Sequence, residues 1–212
     1  MGRKSLLIVL ALVVVLSFST FVFAQEYWAY NSFTAQYERL KYKIVSYDYV
    51  DDYDTGESVL VETTQYQAME LRKIDEDTTE VTMAYTNFLS PKEVEENLAF
   101  MGGLFSFAMG GGEAFGELMF LGFFTQDLEL EVGNNMQLFD GSRIKVVEKQ
   151  TVAGVEGYFC TKSIREERDG KRVDVLTSEL VIAPDVGWPL LIRVYKDEEV
   201  RYVMELVEYS RK

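Results

Sequence analysis

Any chemistry in this chain has to be done without histidine, because its 212 residues contain none. The commonest general base and the commonest metal ligand are missing together, which excludes serine-histidine and cysteine-histidine catalysis and the usual kinds of zinc site. Carboxylates are plentiful instead, with 35 Asp and Glu. Two carboxylates at a suitable separation are enough for a glycosidase, but among 35 acids chance pairs are certain, so no pair is singled out. Asp51, Asp52 and Asp54 cluster as calcium ligands do, yet the ligand spacing and terminal bidentate Glu of an EF-hand loop are absent, and a solvated hairpin turn is expected. Cys160, the only cysteine, is expected as a small buried residue in a strand, with intermolecular pairing as the alternative. No catalytic residue, metal or cofactor is expected.

The first 24 residues read as a signal peptide. Arg3 and Lys4 supply the positive start, Leu6 to Leu16 is an apolar run, and Val22-Phe23-Ala24 places small residues three before and one before a cut that leaves Gln25 first. An uncleaved anchor is the competing reading, since Leu6 to Ala24 approaches a bilayer-spanning length, although Ser17, Ser19 and Thr20 weaken it. No cysteine follows the cut, so lipid attachment there is not available. The expectation is an exported protein, periplasmic or extracellular and soluble, with no stable membrane span after cleavage.

Residues 25–212 suit one domain with a real core. Without Arg3 and Lys4, 19 basic residues face 35 acidic ones, a net charge of −16. That sign argues against nucleic acid and against adsorption to anionic lipid head groups. With a single cysteine there is no internal disulfide, so stability must come from packing.

The elements that could position a site are mostly strands. In residues 37–50, Leu40, Tyr42 and Ile44 alternate with Arg39, Lys41 and Lys43, the period of a half-buried strand. Residues 58–72 and 78–88 follow in the same grammar, the second with Val81, Met83 and Tyr85 on one face, making an antiparallel meander. Further strands are predicted over 127–132, 143–152, 158–168, 171–182, 190–196 and 200–210. The turns between them, among them Ala153-Gly154, Asp169-Gly170 and Asp197-Glu198, use residues that tolerate turn geometry.

Ser90-Pro91-Lys92-Glu93 interrupts the pattern as a capping box with Pro at the first helical position. It predicts a helix to about Met109, ended by Gly110-Gly111-Gly112, and a second helical piece over 113–123. The sequence-based class is therefore α+β: about nine strands in one strongly curved antiparallel sheet, an unclosed barrel, with a helical insertion at about 90–124 packed across it.

Residues 98–124 hold seven of the 14 phenylalanines and seven of the 15 glycines. A helix apolar on every side is enclosed by protein, inserted in lipid, or covered by a ligand or partner. A core filler is one reading, although Gly102, Gly103 and Gly116 are poor choices for a static helix. Membrane insertion is a second, opposed by the lack of any Lys or Arg between Lys92 and Arg143. The third is a lid whose Phe and Met repack around an apolar ligand, hinged at its glycines.

Two phrases are distinctive in the second half: Gly154-Val155-Glu156-Gly157-Tyr158-Phe159-Cys160-Thr161, and Trp188-Pro189-Leu190-Leu191-Ile192-Arg193-Val194-Tyr195 before a strand ending Glu205-Leu206-Val207-Glu208-Tyr209. With long opening strands and an insertion before them, residues 26–212 resemble the LolA-like superfamily of exported bacterial proteins, the periplasmic lipoprotein carriers and sensor domains. The resemblance implies an unclosed barrel whose interior takes acyl chains or another lipid-like ligand. It carries no catalytic or binding residue with it, and the long Gly-Phe-Met insertion departs from it.

The function expected is therefore a non-enzymatic carrier or sensor for a lipid, a lipoprotein acyl chain or another hydrophobic molecule. Its cavity would be lined by Leu40, Tyr42, Ile44, Val81, Met83 and Tyr85, with Met101, Phe105, Met109, Phe115 and Met119 from the lid. An envelope protein-protein interaction module using residues 98–124 is the alternative, and a carboxylate-based glycosidase is the remaining one.

Overall fold

Alternating side chains bury one face of a strand only when neighbouring strands keep the same phase, and here they do so across a wide sheet. A computed structural model describes residues 26–30, 32–51, 56–88, 128–168 and 170–212. The strands are β1 (Tyr27–Trp28), β2 (Tyr37–Asp51), β3 (Ser58–Lys73), β4 (Thr79–Asn87), β5 (Leu128–Glu129) and β6 (Asn135–Gln137). They continue with β7 (Arg143–Val152), β8 (Val155–Arg168), β9 (Lys171–Ile182), β10 (Leu191–Lys196) and β11 (Glu199–Arg211). Nine of them form one unclosed antiparallel sheet in the order β4-β3-β2-β11-β10-β9-β8-β7-β6, and β1 pairs with β5 in a separate ribbon.

The α+β expectation is corrected by this arrangement, because the described residues hold strand and no helix. The predicted helical insertion at 90–124 lies wholly within residues 89–127, outside the described residues. The covering layer that a helix was expected to supply is built, over the described core, from the β1–β5 ribbon and the loop at 183–190. Trp28, Leu128, Leu130 and Val186 join Tyr42, Ile144, Leu180, Ile192 and Met204 of the sheet in a single buried cluster. The Trp28 indole N–H donates to the Val186 carbonyl at 2.8 Å, and the Tyr42 hydroxyl donates to the Pro189 carbonyl at 3.0 Å. Both polar tips are thus satisfied without opening the core.

The strand predicted at 127–132 also differs. Among its described residues only Leu128–Glu129 is extended, and it pairs with β1 instead of the large sheet. Leu128 and Leu130 are buried, so this stretch contributes side chains to the core from the covering layer. Asn135 opens β6 and pairs with Lys145 of β7.

The opposite face of the sheet carries exposed ion pairs such as Lys41–Glu208 at 2.5 Å, Arg39–Glu70 at 3.2 Å and Arg165–Asp174 at 3.1 Å. Pairs of this kind add about 0–1 kcal/mol each, so burial on the apolar face dominates. Cys160 is completely buried in β8, and burial pushes its thiol up to about 12, which keeps it from being a nucleophile. Among the described residues no helix is long and apolar enough to cross a membrane.

Close approach is required where β8 begins. A Cβ placed on Gly157 would lie 2.7 Å from the Ile182 carbonyl oxygen and 3.1 Å from Leu190 Cδ1. Backbone cannot yield as a flexible side chain does, so Gly157→Ala should destabilise the domain by about 1–3 kcal/mol. Urea denaturation measures it; an unchanged midpoint would show that the strands there separate without cost.

Candidate functional site

Directly paired residues in an antiparallel sheet project to the same face, and this places a set of side chains at the β2–β3–β4 end. Leu40 faces Met69, which faces Met83; Tyr42 faces Gln67, which faces Tyr85; Glu38 faces Leu71, which faces Val81. One step further along the chain phase, this apolar face carries a carboxylate.

A pocket of about 250 Å³ opens over these rows. Its floor is Leu40 of β2 with Met69 and Leu71 of β3, and Glu38 stands beside them. One wall is the segment with Ser32 and Phe33; the other is the loop Val186, Gly187 and Trp188. Both walls are pinned. The Arg211 guanidinium donates to the Asp185 carbonyl at 3.1 Å and to the Thr34 hydroxyl at 2.7 Å. The Gln36 and Tyr37 amides donate to the Lys212 carbonyl at 3.0 and 3.1 Å. Tyr30 packs on Trp188 with ring centroids 5.9 Å apart, and on Trp28 at the same distance edge to face.

Glu38 is 3% exposed, and the Tyr209 hydroxyl donates to its Oε1 at 2.8 Å. Tyr209 reaches it because β11 is irregular between Leu206 and Glu208. Leu206 pairs with Tyr42, and after the bulge Tyr209 pairs with Leu40, so both point to the apolar face although three residues apart. Glu208 is correspondingly turned outward onto Lys41. Burial raises the Glu38 carboxyl above its ordinary value, with the Tyr209 hydrogen bond and the charge of Arg211 opposing that rise only in part. Burial and the neighbouring Glu38 also raise the phenols of Tyr209 and Tyr42.

A second, more polar hollow of about 270 Å³ lies beyond Val186, between Glu26, Tyr158, Asp185 and Arg211. There the Tyr158 hydroxyl donates to Glu26 Oε2 at 2.7 Å.

The residues predicted from sequence are distributed as follows. Leu40 lies on the pocket floor, whereas Tyr42 and Ile44 are sealed in the core. Val81, Met83 and Tyr85 share the face of Leu40 by register and are 54%, 46% and 40% exposed. Met101, Phe105, Met109, Phe115 and Met119 lie outside the described residues. The pocket also uses Phe33, Glu38, Met69, Leu71 and Trp188, which the sequence reading did not assign to a cavity. Glu38 had a signal: it occupies the same alternation as Leu40, Tyr42 and Ile44, where an acid is out of place.

Chemically the pocket can bind an apolar body and one polar group. Glycosidase chemistry needs two carboxylates, and among the described residues lining it Glu38 is the one present. Asp51 accepts a hydrogen bond from Ser58 at 2.5 Å as a turn residue does, while Asp52 and Asp54 lie outside the described residues. No group of three or more possible metal ligands occurs among the described residues. None of the family models, curated proteins or solved structures compared with the chain matches it.

Because the Glu38 pKa is raised on folding, the fold prefers its neutral acid. The associated stability is fully present below the ordinary value of 4.5 and is lost as pH rises through the higher folded value. Glu38→Gln keeps the shape and removes the ionisation, so its stability relative to the parent should increase between about pH 4 and pH 7. Urea midpoints at several pH values test this; a pH-independent difference between the two proteins is the contrary result.

Proposed function

We propose that this protein is an exported, non-enzymatic carrier or sensor that holds a lipid, a lipoprotein acyl chain or another hydrophobic ligand against the apolar face of its open sheet. The observation that carries the reading is continuity. The pocket floor residues Met69 and Leu71 are cross-strand partners of Met83 and Val81, so the rows of the floor continue to exposed apolar side chains of β4. At about 250 Å³ the pocket falls just below the range of roughly 300–1,000 Å³ that encloses a drug-sized ligand. One end of an elongated ligand fits inside, and the remainder lies over Val81, Met83 and Tyr85.

Export is supported by Arg3 and Lys4, the apolar run after them and Ala24. The resemblance of residues 26–212 to the LolA-like carriers in sequence order and phrasing points the same way. A second reading, an envelope interaction module, is favoured by one observation: β4 is a sheet edge with exposed apolar side chains, the kind of strand to which a partner can add.

Extraction of the purified protein with organic solvent followed by mass spectrometry should release a hydrophobic compound, and an apolar fluorophore should compete for the emptied site. Val81→Asp and Met83→Asp alter exposed positions, so they should leave the unfolding midpoint within about 0.5 kcal/mol of the parent while weakening fluorophore binding about tenfold or more. A ligand-free protein that binds no apolar probe would sink the proposal, and pull-down of a single partner blocked by strand β4 variants would favour the second reading.

A further inference from the structure

The carboxylate in the pocket narrows the ligand class. We infer that the ligand carries a cationic amine head on its apolar body and that Glu38 is the residue that receives it. This rests on the proposed function and specifies the chemistry of the same site.

Among the described residues lining the pocket, Glu38 is the one ionisable side chain, and its neighbours there are apolar apart from the Ser32 hydroxyl and backbone. A carboxylate with two oxygens can accept about four hydrogen bonds, and the Tyr209 hydroxyl supplies one, to Oε1. Capacity for further donors therefore remains at the pocket. Arg211, opposite Glu38 across β2 and β11, acts on it through its charge, but its guanidinium donates to the Asp185 carbonyl and the Thr34 hydroxyl and lines the neighbouring hollow. An ion desolvated in an apolar site is costly unless a partner of opposite charge is hydrogen-bonded to it, and an ammonium entering the pocket is such a partner. The same field acts against an anion: a fatty acid carboxylate would meet Glu38 as a like charge in a site of low polarity. Packing alone does not need an acid here, since Leu40, the next residue on this face, is apolar and Tyr42 beyond it is held by a neutral backbone carbonyl.

Three probes with the same chain and different heads test the inference: dodecylammonium, dodecanol and dodecanoate, each displacing an apolar fluorophore from the full-length mature protein at neutral pH and below its critical micelle concentration. Dodecylammonium should bind about tenfold or more tightly than dodecanoate, with dodecanol between. The chain's overall negative charge attracts every ammonium, so the comparison with Glu38→Gln is decisive. There the ammonium-to-carboxylate preference should shrink to about threefold or less and dodecanol affinity should stay unchanged. Tyr209→Phe, which removes a donor and keeps the charge, should retain the preference and serves should Glu38→Gln fail to fold. Equal binding of all three heads, a preference that survives Glu38→Gln, or one that Tyr209→Phe abolishes overturns the head-group assignment and leaves the hydrophobic-ligand reading standing. Failure of all three probes to bind overturns both.

Discussion

The antiparallel pairing of β2 with β11 is the constraint on which the rest of this structure depends. It joins two meanders, β2–β4 and β6–β11, that would otherwise be separate sheets. Its register runs from Tyr202 opposite Ser46 to Arg211 opposite Glu38, with one irregularity at Val207. That single extra residue sends Tyr209 to the apolar face and Glu208 to the polar one, so a local backbone irregularity decides which residues can meet in the pocket. The pocket walls depend on the same seam, because Arg211 and Lys212 at its end hold both the 32–36 segment and the 183–190 loop.

Much of the sheet could be read from period-two alternation. Leu40, Tyr42 and Ile44 share a phase, and so do Val81, Met83 and Tyr85. The meander that carries both triplets was legible too, but alternation cannot show a pairing between strands distant in sequence, so the seam of β2 with β11 was not. A bulge is likewise silent in sequence: Leu206, Val207, Glu208 and Tyr209 read as plain alternation that places Tyr209 opposite Leu206, the reverse of what is observed. Glu38 was legible in principle, as an acid in an apolar phase. Phe33 and Trp188 were not, because loops carry no period and their placement follows from hydrogen bonds to distant backbone. The α+β class came from a capping box outside the described residues, whereas the core it was meant to cover is closed by Trp28 and its ribbon.

The site also shows the opposition between stability and binding. The pocket end of the sheet buries a carboxyl that a folded core alone would replace with an apolar residue, and it leaves Val81 and Met83 open to water. Both features lower the free energy gained on folding.

The seam has a further consequence in time. Glu38 and Tyr209 lie 171 positions apart, so a chain made from its N-terminus presents β2 long before its partner strand exists. Until β11 emerges, β2 has β3 on one side and an unpaired edge on the other, and the pocket floor is exposed without its walls. Folding dominated by such distant pairings is slow, and a slow-closing apolar edge invites aggregation. If the chain is exported as proposed, this order is useful: the contact that completes the domain cannot form before its final strand arrives.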